Sequence, residues 1–231
     1  MCGRYSLRIT VDELGDILGG TELDPAVAPA LDETPGHQVA PSLDLPVLLD
    51  DGRRRVALHR WGLIPFWAKD EKIAYKLINA RAETLPEKPA FREALGRRRC
   101  LVPASGFFEW KKLGAREKQP YLIRHRDGEP LTFAGLWERW RHGPDGVVHS
   151  FTIVTVAPNT LMTELHDRMP AILEGPAREA WLDPELSKDE HLGLLQPLRD
   201  GVLEAVPVSS LVGNPRNDLP ECTQPVGAPL R

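Results

Sequence analysis

Four kinds of residue in this chain can do chemistry, and the first stands at its head. In the opening MCGRYS, Cys2 follows the initiator Met directly. Once that Met is removed, Cys2 carries a thiol and a free α-amine on neighbouring carbons, a pair that no internal cysteine offers. The plainer alternative is a small apolar residue packed against its neighbours. Glu109 lies between aromatics in GFFEW, and a carboxylate in apolar surroundings takes a raised pKa, useful in a general acid. It reads equally as an exposed strand residue alternating with buried Phe108 and Trp110. His166 opens HDRMP and carries a proton near neutrality, or forms a His–Asp pair at a helix end. The other six histidines, His59 and His149 among them, lack the spacing of an HD metal hydrolase.

Asn79 and Arg81 flank Ala80. On an extended chain their side chains face the same way, placing an amide beside a fork-shaped cation, a pair suited to a sugar-phosphate or to a structural corner. Of six tryptophans, most belong in a core. Trp67 follows Ile64-Pro65, stands near Lys69 and Lys72, and is the one placed to stack on a base. The triplet Arg97 to Arg99 reads as a solvated turn.

The elements that must position these groups are mostly strands. Leu45 to Leu49 and Arg55 to Trp61 flank an Asp50-Asp51-Gly52 turn, a hairpin pattern. Cys100 to Val102, Tyr121 to Arg124, Leu131 to Trp137 and Val148 to Val156 are also strand-like. Helices are predicted over Val11 to Leu18, with Thr10 as N-cap, over Ala90 to Leu95, over Asn159 to Leu165, and over Pro176 to Leu182, which has Pro at its start. Ala26 to Pro46 reads as extended loop, and the chain beyond Leu211 as irregular. Helices do not alternate with strands in βαβ fashion, so the class is α+β. One domain over residues 1–220 is expected, with an irregular tail over 221–231.

The 231 residues, 27% charged and 42% hydrophobic, are those of a soluble globular protein. No apolar stretch approaches a membrane span, and no signal-peptide pattern opens the chain. Cys2, Cys100 and Cys222 are odd in number and lack CxxC spacing, which points away from a disulfide framework or zinc site and towards a reducing, cytoplasmic setting. Net charge is −4. Residues 51–141 nevertheless hold 21 Lys and Arg against 11 Asp and Glu, while the rest hold 8 against 22. A basic middle between acidic ends is either a solvated face or a polyanion-binding surface.

Taken in order, these stretches resemble the SRAP family of abasic-site processing proteins. The resemblance runs through MCGRY, VAP (Val39 to Pro41), WGLIPFW, NARAET, GFFEWKK, FAGLWE (Phe133 to Glu138), HDRMP and VGNPRN (Val212 to Asn217). It implies a mainly antiparallel or mixed sheet forming a barrel-like core with flanking helices. It also implies a DNA-damage (SOS) response role: covalent capture of abasic sites in single-stranded DNA by the N-terminal cysteine, as a monomer. On matching positions Cys2 would be the nucleophile, Asn79 and Glu109 would assist at the sugar, and His166 would complete the site. Arg4, Arg81 and Arg168 would hold phosphates, with Trp67 near the bases. The family usually has Asn before VAP where this chain has Gln38, which puts a role for that position in question.

The implied chemistry suits these residue types. A free α-amine has a pKa of about 7.7–8.0, so part of it is neutral at cellular pH and attacks the sugar aldehyde to form an imine. The thiol of the same residue then closes a thiazolidine, an intramolecular step of high effective molarity. Glu109 suits proton shuttling during ring opening, and no metal or organic cofactor is required. Weak lyase activity and self-removal of Met1 accompany the family. Two rivals remain: a glutamine amidohydrolase using Cys2 as an N-terminal nucleophile, and a noncatalytic nucleic-acid-binding module in which Cys2 is incidental.

Overall fold

The Asp50-Asp51-Gly52 turn does join two paired strands in the structure, a computed structural model that describes residues 2–17, 21–34, 36–114, 117–144 and 146–231. Gly52 holds φ at +101°, a region closed to most side chains. The strands among the described residues are β1 (Tyr5–Ser6), β2 (Glu22–Leu23), β3 (Asp44–Asp50), β4 (Arg54–Trp61), β5 (Asn79–Arg81), β6 (Arg99–Ala104), β7 (Gly106–Lys112), β8 (Lys118–His125), β9 (Leu131–Gly143), β10 (Gly146–Val156), β11 (Met169–Pro170) and β12 (Leu203–Pro207). The helices are α1 (Val11–Ile17), α2 (Val27–Glu33), α3 (Arg92–Arg97), α4 (Thr160–Thr163), α5 (Pro176–Leu182) and α6 (Lys188–Gly193).

Five strands close on themselves. β4 pairs antiparallel with β3, β3 with β6, β6 with β9 and β9 with β10. β10 then pairs parallel with β4, Ser150 opposite Arg60 and Phe151 opposite Trp61. The result is a mixed barrel whose ring leaves no free edge between its members. Trp61 and Phe151 stack with ring centroids 6.3 Å apart. Gly135 of β9 keeps its α-carbon bare because a Cβ there would come within 2.8 Å of Cys100 Sγ and 3.0 Å of Val102. A second sheet, in the order β1-β7-β8-β12, lies against this core. Tyr5 joins the two, its ring 5.1 Å from Trp61 and 6.1 Å from Phe133. The α+β class and the barrel-like core with short helices are as the sequence implied.

Local chemistry explains most boundaries. Thr10 accepts from the Glu13 N–H at 3.2 Å while the Glu13 carboxylate accepts from Thr10 N–H at 2.8 Å, so α1 begins with a capping box; Leu18 lies outside the described residues. Asn159 proves to be the N-cap of α4, accepting from Met162 N–H at 3.0 Å, and that helix is a single turn. Ala26 to Pro46 is not all loop, since α2 occupies Val27–Glu33. Pro29 misleads there: it stands in the first turn, where an N–H has no intrahelical partner and its absence costs nothing. The tail is irregular yet docked. Leu230 exchanges backbone hydrogen bonds of 3.0 and 2.8 Å with Ala205, and Cys222 is buried beside Phe108, Val208 and Val212. No helix among the described residues is long and apolar enough to cross a membrane.

Candidate active site

Backbone pairing brings Cys2 to its place. In the β1–β7 ladder Tyr5 faces Phe107 and Ser6 faces Gly106, and Phe108 N–H donates to Arg4 O at 3.0 Å. Continued two residues, that register sets Gly3 and Cys2 beside Glu109 and Trp110. Val39 holds the other edge, exchanging bonds of 2.8 and 3.3 Å with Tyr5. Cys2 is buried, at 1% exposure, and its Sγ–H donates to Arg4 O at 3.6 Å. Burial pushes the thiol well above its ordinary range, and the nearby Glu109 charge pushes the same way. The thiol is therefore held protonated.

Asn79 and His166 arrive along β10. β5 runs parallel to it, Asn79 opposite Ile153 and Arg81 opposite Thr155. β11 runs along it on its antiparallel side, Pro170 opposite Thr155 and Met169 opposite Val156. The 79–81 and 166–170 segments therefore flank one strand end. Asn79 Nδ2 donates to the Cys2 carbonyl at 2.8 Å, while its Oδ1 is buried with no hydrogen-bond partner among the described residues. Glu109 is also buried, and burial raises its pKa above the usual carboxylate range, with His166 pulling it partly back. His166 Nδ1 lies 3.0 Å from the Arg168 N–H and 2.8 Å from Asp167 Oδ1. The first contact uses a lone pair on Nδ1 and the second a proton, so this nitrogen has a partner in either state.

Glu109 and His166 open on a cleft of about 930 Å³, lined also by Trp110, Lys112, Lys118 and Asp167 among others. A cysteine behind a single Met has its carbonyl held by an amide and a buried carboxyl near its thiol. Residues 1–215 match the family described as SOS response associated peptidase (SRAP). The chain belongs to the SRAP family. It is 44% identical over 223 residues to the abasic site processing protein YoqW of Bacillus subtilis (strain 168), covering 96% of this chain and 98% of that one. It is 33% identical over 277 residues to the abasic site processing protein HMCES of Pongo abelii, covering 100% and 78%. A crystal structure of a Bacteroides thetaiotaomicron protein superposes with a TM-score of 0.87 at 30% identity, covering 97% of this chain and 100% of that one.

Within the SRAP fold the four groups named for chemistry, Cys2, Asn79, Glu109 and His166, stand together. The named phosphate holders differ from one another. Arg81 is exposed. Arg4 is engaged internally: Nη1 donates to Gln38 Oε1 and to Val212 O, each at 2.6 Å, Nη2 to Gly213 O at 3.3 Å, and the guanidinium lies 5.8 Å from the Trp110 ring centre. Arg168 grips Glu83 through both terminal nitrogens at 2.6 and 2.9 Å and also donates to Thr155 O. Trp67 is half exposed between β4 and β5 and is not part of the cleft wall; its neighbour Phe66 borders a separate cleft beside Trp137 and Arg139. Gln38 does reach: besides holding Arg4, its Nε2 donates to Asn214 O at 2.7 Å and to Asn217 O, tying the VGNPRN segment to the site. Sequence reasoning missed Lys112 and Lys118, whose only signal was their position either side of Gly114 in what proves to be a hairpin.

Proposed function

We propose that this protein captures abasic sites in single-stranded DNA through Cys2, once Met1 has been removed. The observation that carries the reading is the placement of Cys2: its carbonyl is held by Asn79 and its thiol lies beside a buried carboxyl at the head of a cleft. The names of the relatives YoqW and HMCES support the substrate.

The α-amine attacks the C1′ aldehyde of the opened sugar and the adduct loses one water to give an imine. The Cys2 sulfur then bonds to the imine carbon while the thiol proton passes to nitrogen, closing a five-membered ring. A thiol whose pKa burial raises is a poor nucleophile towards the aldehyde, which leaves the first attack to the amine and the sulfur to the imine carbon that the amine creates beside it. Glu109, whose pKa burial raises, is the group placed to pass protons during ring opening and to the departing water. His166, with a partner at Nδ1 in both states, relays protons on the other side of the sugar. Asn79 holds the Cys2 carbonyl and leaves its unpartnered oxygen to accept from the sugar or the adduct nitrogen. Elimination from the imine before ring closure would give a weak lyase side reaction. Removal of Met1 belongs to the same reading, since the amine does not exist without it.

The test mixes Met-free protein with single-stranded DNA bearing one abasic site, followed by denaturing electrophoresis and intact mass. An adduct weighing protein plus DNA less one water, absent with Cys2→Ala, is expected. Binding without any adduct would leave a noncatalytic module, and glutaminase activity would point to the amidohydrolase.

A further inference from the structure

The cleft continues past Glu109 to a feature that the capture chemistry does not use. Lys112 ends β7 and Lys118 opens β8, and the two are directly opposed in the antiparallel ladder. Both are exposed, both line the cleft, and neither has an ion-pair partner among the described residues. Like charges directly opposite on neighbouring strands destabilise a sheet, so this pair stands at a cost that no ion pair among the described residues offsets. Two carboxylates of the same cleft are otherwise engaged: Glu164 takes Lys111 Nζ at 2.9 Å, and Asp167 lies 2.8 Å from His166 Nδ1. The cleft therefore holds a buried carboxyl, the Trp110 ring and two uncompensated cations.

We infer that Lys112 and Lys118 form a phosphate seat for the nucleotide that continues the DNA strand on one side of the abasic sugar. This rests on the proposed capture of abasic DNA and adds a direction to it. Three residues of extended strand separate Glu109 from Lys112, about 10 Å. That distance suits a phosphate one or two steps from the reacting sugar, with the intervening base against Trp110. An ammonium pair holds a phosphate as point charges, without the fixed geometry of a guanidinium fork, so the seat grips the backbone and not the sequence.

The experiment measures noncovalent binding of oligonucleotides carrying tetrahydrofuran, an unreactive abasic analogue, that extend only 5′ or only 3′ of it, across a salt series. Lys112→Gln/Lys118→Gln is compared with wild type and with Lys112→Arg/Lys118→Arg. For one extension the Gln pair is expected to bind more weakly and to lose about 0.7 from the slope of log K against log salt, as one fewer neutralised phosphate on a single strand requires. The other extension is expected to be unchanged, and the Arg pair to restore both. Equal loss on both sides, or no loss on either, overturns the inference. Wild-type protein that binds these probes but forms no adduct with true abasic DNA would instead overturn the capture chemistry, with the slope comparison still deciding the seat. A wild type that binds neither probe overturns both.

Discussion

Inside the barrel wall His59 is 2% exposed, with both ring nitrogens lacking a hydrogen-bond partner. Trp137 stands edge-on at 5.5 Å and His149 lies 5.1 Å away. Burial, the neighbouring His149 and Arg55 together lower its pKa to about 3, and weak interactions with the Ala57 and Leu58 backbone offset only part of this. The folded protein thus keeps His59 neutral where the unfolded chain, with a pKa near 6.5, takes a proton. The unfolded state binds more protons between those values, so the stability is whole above about pH 6.5 and is lost as pH falls towards 3. Each pH unit inside that window is worth about 1.4 kcal/mol, which makes the His59 share of the loss at pH 5 about 2 kcal/mol. For a chain of this size that is about 4–8 °C in Tm. His59→Phe keeps a ring against Trp137 and removes the titration. Urea unfolding of both proteins at pH 7.5, 6 and 5 should show wild type losing about 2 kcal/mol more than the variant across the series, with the same m-value. His149, whose own pKa burial and the Arg139 and Arg55 charges lower, is present in both proteins and beside a neutral ring in each, so its share cancels in the comparison. Parallel stability profiles for the two proteins would refute the burial argument.

The other predictions concern the cleft. Glu109→Gln should slow adduct formation about 10²–10⁴-fold at pH 7 in quenched gel time courses. Because burial raises this carboxyl, wild-type stability should fall as pH rises above the unfolded value near 4.5 up to the folded value, and the Gln variant should lack that fall in a thermal-melt series. Asn79→Ala should slow adduct formation about 10-fold, the equivalent of one lost hydrogen bond of about 1.4 kcal/mol, with tetrahydrofuran-DNA binding unchanged. Arg81→Ala should lower the salt slope of binding by about 0.7. Arg168→Ala should instead cost about 1–3 kcal/mol of stability in urea, since its guanidinium holds Glu83 and Thr155.

Where one local rule decides an element, that element was legible. The Asp50-Asp51-Gly52 turn, the Thr10 cap and the proline opening α5 all act within a few residues, and each stands where the sequence places it. β7 and β12 escaped. GFFEWKK lacks clean alternation because Phe107 packs towards the barrel while Phe108 is buried on the smaller cluster with Val212 and Cys222, so both of its faces are apolar. LEAVP is short, ends in Pro207, and finds its partner in β8, far off along the chain.

The candidate reactive groups were legible in the sequence alone, because an amine and a thiol on one terminal residue, a carboxyl among aromatics and a histidine beside an aspartate are properties of residue type and immediate neighbours. Tertiary structure decided which charged groups are free to act. Arg4, Arg81 and Arg168 look alike in the sequence, yet Gln38, Val212, Gly213, Glu83 and Thr155 hold the terminal nitrogens of two of them, while Arg81 stands in solvent. The parallel β4–β10 pairing that closes the barrel and the β1–β7 register that brings Cys2 to the Glu109-Trp110 end of the pair are decided in the same way. Each depends on donors and acceptors remote in the chain, and that is a property of the closed barrel and its register, not of any local run of residues.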